Sequence, residues 1–205
     1  MKNRKPTTGR GLALAAVTAL AAFTTLAAPE IPGEYRVNGW AIGCQAYTFN
    51  RFTAFEAIEK TAQAGGKVIE FYPGQTLSKE DSSLKVDHAS AKVDEVVTKL
   101  QAKLKAHGLK AVNYGVVGIS TKEDEARKVF EFARKMGMRA VTTESADAIN
   151  TIEKLVKEFD ICVGFHNHPG DMSNPGYKIW SPHYVAGLIE GRDPRIGAAA
   201  DTGHW

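Results

Sequence analysis

No apolar run in this sequence is long enough to span a bilayer. The one candidate, residues 12–26, is Ala-rich and broken only by threonines, and it falls short of the about 20 residues a crossing helix needs. Pro29, Pro32 and Gly33 then stop it. Lys2, Arg4, Lys5 and Arg10 precede the run, and Thr25-Leu26-Ala27 supplies small residues for cleavage. Residues 1–27 therefore read as a secretory signal, and 28–205 as an exported chain, periplasmic or extracellular, with no stable membrane anchor. Charge of one sign is missing as well. The formal +3 falls to −1 once the four basic residues of the signal are removed, which leaves no basic footprint for a nucleic-acid partner. Cysteine is scarce. Cys44 and Cys162 each fall in a short apolar run with interior-strand character, so they read as buried thiols and not as a disulfide. A glycine-rich phosphate loop is absent too: Gly43-Cys44-Gln45-Ala46-Tyr47, where a first strand would turn into a helix, lacks the dinucleotide-binding pattern.

What is present is an alternation of two periodicities. Strand character at 40–47 precedes a helical stripe at 53–64 carried by Phe55, Ile58 and Ala62, closed by Gly65-Gly66. A strand at 68–72 stops at Pro73-Gly74, and the polar stretch 75–87 reads as a long loop. The stripe Val93, Val96, Val97, Leu100 and Leu104 predicts a helix over 90–106, ended by Gly108. A third strand follows at 109–117. Ser120-Thr121-Lys122-Glu123 has the capping-box pattern ahead of a helix with Ala126, Val129, Phe130 and Ala133 inward. Strands at 138–143, 161–165 and 196–201 are separated by a helix over 146–159 and by one opening at Ser181-Pro182. Such alternation indicates a parallel sheet covered by helices. Without a phosphate loop the preferred closure is a (β/α)8 TIM barrel, of which about six strands and five helices are present; with two strands unaccounted for, the chain is expected to be C-terminally truncated.

In a TIM barrel the chemistry sits at the C-terminal ends of the strands. Those ends carry Glu70, Asn113 with Tyr114, Glu144, His166 with His168, and Asp201 with His204. Nearly all can titrate or coordinate. The lone His88, His107 and His183 fall on loops or helices and read as solvated.

Three of these segments carry a family likeness. Val68-Ile69-Glu70-Phe71, Phe165-His166-Asn167-His168-Pro169 and Ala200-Asp201-Thr202-Gly203-His204 resemble the strand-two, strand-five and strand-six signatures of the xylose-isomerase-like barrels of the sugar isomerase/epimerase superfamily. The Asp-Thr-Gly-His element is the most specific. The resemblance implies that Asp201 is a metal ligand and that His204 reaches a metal or the substrate. Many members carry Leu-Glu-Asn-His on strand five with its Glu as a ligand; His166 stands at that position here, so His166 and Asp201 are the expected metal pair. Mixed imidazole and carboxylate donors suit Mn, Zn, Co or Fe, with Mg also used by such enzymes, better than calcium.

The implied function is a metal-dependent sugar or sugar-phosphate isomerase or epimerase that abstracts a proton next to a carbonyl. Glu144 is the candidate base and His204 its polar partner, while Glu70, His168 and Asn113 are candidates for substrate binding. The implied partner is a small carbohydrate; the oligomeric state is left open. A metal-assisted lyase or hydrolase on oxidised sugars or glycosides, and a non-catalytic sugar-binding protein, are the alternative readings. The apurinic-endonuclease relatives share the Asp-x-x-His element, but export and near-neutral charge count against DNA. Family members draw a further histidine and carboxylate from strands seven and eight, so this length of chain is expected to bind metal weakly and to be inactive.

Overall fold

The computed structural model describes residues 30–171 and 173–204, and the signal read at 1–27 lies outside them. Six parallel strands pair in sequential order: β1 (Gly43–Gln45), β2 (Val68–Phe71), β3 (Lys110–Tyr114), β4 (Ala140–Thr143), β5 (Cys162–His166) and β6 (Ile196–Ala199). Each is followed or preceded by a covering helix: α1 (Ala54–Gln63), α2 (Val93–Ala106), α3 (Glu123–Lys135), α4 (Ile149–Phe159) and α5 (Pro182–Ile189). Sequential order with helical crossovers is the winding of a TIM barrel, and it sends all six strand ends to one face. Among the described residues β1 and β6 are the two unpaired edges. No helix there is long and apolar enough to cross a membrane.

The stripe predicted for α3 is buried throughout, whereas Phe55 and Ala62 of the α1 stripe and Val93 of the α2 stripe are only partly buried. Ala126, Val129, Phe130 and Ala133 of α3, and Ile149, Ile152, Leu155 and Val156 of α4, all pack into one core with Val163 and Phe165 of β5. Removing such side chains from water is the main force closing helices onto the sheet. The alternation in β5 places Val163 and Phe165 in that core and leaves Cys162, Gly164 and His166 half-buried on the other face. Gly164 keeps β5 and β6 close: a Cβ there would lie 2.8 Å from that of Ala199. Gly43 does the same for β1, where an added Cβ would meet the Val68 carbonyl oxygen at 1.8 Å.

Four local expectations are corrected. The capping box at Ser120 does not form. Lys122 is the N-cap of α3 with no side-chain bond, because the Ser120 hydroxyl accepts from the Lys122 N–H at 3.1 Å and donates to Glu125 at 2.7 Å. A capping box is found at α1, where Thr53 and Glu56 satisfy one another's backbone N–H groups. The stretch 75–87 is not simply polar: Leu77, Leu84 and Val86 are buried, held by an antiparallel bridge between Thr76 and Lys85. Its apolar residues are too sparse for a period, so only the tertiary contact reveals them. His88 is not solvated; its Nδ1 lies 3.1 Å from the Tyr114 hydroxyl. Strand character at 40–47 shrinks to three residues, since the Gln45 side chain caps a tight turn at Ala46–Phe49 and Trp40 stays 75% exposed.

Cys44 and Cys162 are both free and half-buried, not fully enclosed. Burial raises the Cys162 thiol above its usual range. β1 and β5 stand four places apart in the sheet, beyond the roughly 7 Å that a disulfide allows between Cα atoms. Thiol titration of the unfolded, unreduced protein is expected to find two free groups; finding none would overturn the strand order.

Candidate functional site

Glu144 follows β4 directly and is fixed by its neighbours. The Thr143 hydroxyl donates to the Val117 carbonyl at 2.7 Å and accepts from the Ser145 N–H at 3.1 Å. Ser145 in turn accepts from the Ile119 N–H at 2.9 Å. The carboxylate between them faces the end of β5. Its Oε1 lies 3.0 Å from His166 Nδ1 and contacts His168 Nδ1, while its Oε2 accepts from the Tyr177 hydroxyl at 2.9 Å.

Asp201 sits just past β6 and is held by its main chain. Asn167, only 5% exposed, donates through Nδ2 to the Asp201 carbonyl at 2.9 Å and accepts the Asp201 N–H at 2.7 Å. The Gly203 N–H binds Oδ1 at 2.8 Å. Oδ2 is then presented to two imidazoles, His166 Nε2 and His204 Nε2, each at 3.4 Å. The Gly203 bond, then His166 and His204, hold the Asp201 carboxyl below its usual range, so it is ionised at neutral pH.

His166 lies between the two carboxylates, one ring nitrogen toward each, with its side chain 13% exposed. The rings of His166, His168 and His204 meet with centroids 4.6 to 5.6 Å apart. Among the described residues, two groups have donor atoms within 4.8 Å of one another: Glu144 with His166 and His168, and His166 with Asp201 and His204. Mixed imidazole and carboxylate donors at that spacing suit a divalent transition metal. The bracing of Asp201 by Asn167 is the kind of outer contact that orients a ligand.

Glu70 and Asn113 lie on the neighbouring strands. The ladder between β2 and β3 slips between Ile69 and Glu70, and irregularities of this kind re-aim side chains. Burial pushes the Glu70 carboxyl up to about 7, against the opposing pull of Asn113, His166 and Thr142. Asn113 is also engaged locally, through Nδ2 to the Thr142 hydroxyl and Oδ1 to the Tyr114 N–H.

The structure thus brings Glu144, His166, His168, Asp201 and His204 into one cluster and places Glu70 and Asn113 on the adjoining strands. Sequence reasoning missed Tyr177 and Asn167. Tyr177 falls in the Gly/Pro/Asn-rich loop after β5, where no periodicity marks a side chain. Asn167 stands inside the His-Asn-His element, but its role depends on a partner 34 residues away.

No protein-family model and no curated protein matches the chain. Solved structures do. An uncharacterized protein from Parabacteroides distasonis shares 30% identity at a TM-score of 0.67, over 81% of this chain and 65% of that one. A protein from Sinorhizobium meliloti shares 12% at 0.57, over 80% and 65%. A D-tagatose 3-epimerase-like protein shares 14% at 0.56, over 78% and 64%. The chain therefore spans just under two thirds of the length of these structures. Among the described residues, six sequentially ordered parallel strands, five covering helices and these likenesses give the chain the fold of an incomplete TIM barrel.

Proposed function

We propose that the chain belongs to a metal-dependent sugar isomerase or epimerase that moves a proton on the carbon next to a carbonyl. The observation that carries the reading is the pair of carboxylates on either side of His166, one braced and ionised, the other in contact with a second histidine. His166, Asp201 and His204 would hold the cation. When bound, a divalent metal supplies Lewis-acid polarisation of the substrate's carbonyl oxygen.

The remaining work falls to the protein's own groups. Glu144 takes the proton at Oε1, the oxygen next to His168, and His168 can carry that proton onward or return it. Tyr177 donates to Oε2 and so fixes which carboxylate oxygen faces the reacting carbon. Its hydroxyl titrates above its usual range, because burial and the Glu144 carboxylate both disfavour the phenolate; it remains a donor throughout. Glu70 and Asn113 are positioned on the adjoining strands to bind substrate hydroxyls. The D-tagatose 3-epimerase-like structure supports the substrate class, a small carbohydrate.

Solvent deuterium exchange into a panel of ketoses by the full-length protein tests the proposal. With Mn²⁺ present, the C–H beside the carbonyl is expected to exchange with conservation of substrate mass, and Glu144→Gln to abolish the exchange. Two product fragments would instead identify a lyase. Undiminished exchange in Glu144→Gln would remove that residue from the role of base.

A further inference from the structure

Glu144 borders a cavity of about 530 Å³, bounded by the loops after β3 and β4 and by the loop between β5 and α5. Its size falls within the range of roughly 300 to 1,000 Å³ typical of small-molecule sites. Glu144 and Tyr177 line it, so its inner wall is the same carboxylate and phenol that face the metal-ligand cluster. Glu144 is therefore shared between the cluster and the cavity.

The lining fits a neutral sugar ring. Tyr177 and Tyr184 supply half-buried aromatic surface, and Thr121, Ser145 and Asn174 supply hydroxyl and amide groups able to donate and accept. Two carboxylates, Glu144 and Asp147, stand against one cation, Lys178. Asp147 also lies in the short 3-10 turn that leads into α4, where its negative charge offsets the positive end of the helix. A phosphate would meet net negative charge here, and uncharged hydroxyls would not.

We infer that this cavity receives the second ring of a neutral disaccharide or glycoside whose first ring lies at the Glu144, His166 and Asp201 cluster. The inference rests on the proposed sugar-binding function and narrows its substrate class from free or phosphorylated monosaccharides to glycosides. Tyr177 then has two roles, orienting Glu144 through its hydroxyl and bounding the second ring with its face.

Calorimetric titration of the Mn²⁺-loaded full-length protein with glucose, cellobiose, maltose and glucose 6-phosphate provides the test. One of the disaccharides is expected to bind about tenfold or more tighter than glucose, with glucose 6-phosphate no tighter than glucose. Thr121 is exposed, and Thr121→Trp places an indole in the cavity without disturbing the core. That variant is expected to bring the disaccharide advantage below about twofold while leaving Mn²⁺ affinity unchanged, which also reports that it has folded. Glucose binding that EDTA abolishes, with no gain for either disaccharide, overturns the second-ring cavity and leaves the metal-site reading standing. A disaccharide gain that persists in EDTA supports the cavity and removes the metal from sugar binding. Absence of binding by every sugar overturns both readings.

Discussion

Replacing Asp201 by alanine in the full-length protein is expected to weaken Mn²⁺ or Zn²⁺ binding by about 100-fold or more, since loss of an outer supporting contact alone costs 10–100-fold. Asp201 is the only anionic donor of its group, and its Oδ2 stands 3.4 Å from both His166 Nε2 and His204 Nε2. Alanine leaves two imidazoles with no carboxylate between them. Asn167→Ala keeps all three donors and removes only the two bonds that lock the Asp201 main chain; its loss is expected within the 10–100-fold range. Calorimetry gives the affinities, and circular dichroism verifies the fold of each variant. Asp201→Ala binding within about threefold of the parent would refute the site.

Glu144→Gln separates the two donor groups that share His166. A cation held by His166, Asp201 and His204 survives this change, whereas one held by Glu144, His166 and His168 is lost with it.

The second large effect is on stability and its pH dependence. Glu70 has its carboxyl raised from 4.5 to about 7 by burial. The folded state therefore prefers the protonated acid, and the contribution of this group is fully present below pH 4.5. It declines as pH rises from there and is lost by about pH 7. The difference corresponds to about 3 kcal/mol. Glu70→Gln keeps a neutral polar side chain of similar shape and has no proton to lose. In EDTA, the stability of the variant minus that of the parent is expected to grow by about 3 kcal/mol between pH 4.5 and 7.5. Urea unfolding at intervals across that window measures it. A difference that stays flat would show that Glu70 is ionised and solvated in the folded protein.

These effects originate at different levels of the chain. Helix and strand placement was legible because α3 and α4 repeat apolar residues every three to four positions and bury those positions. The parallel winding followed from the alternation of elements. Candidate residues were legible because a TIM barrel places its chemistry at strand ends, and Glu144, His166 and Asp201 stand there. Boundaries shifted where local chemistry competed with period. Ser120 binds Glu125 in place of capping its helix, and Gln45 ends β1 by capping a turn.

What the tertiary structure alone decided is the set of contacts between residues remote in sequence: His166 with Glu144 and Asp201, Asn167 with the Asp201 main chain, and Tyr177 with Glu144. Each joins side chains 22 to 35 positions apart, a separation at which no local period carries information. Their approach is set by strand register, with Phe165 beside Thr143 and His166 beside Ala199, and register is settled by packing across the whole sheet. Types of residue at strand ends are written in the chain; which nitrogen faces which carboxylate is a property of the folded sheet.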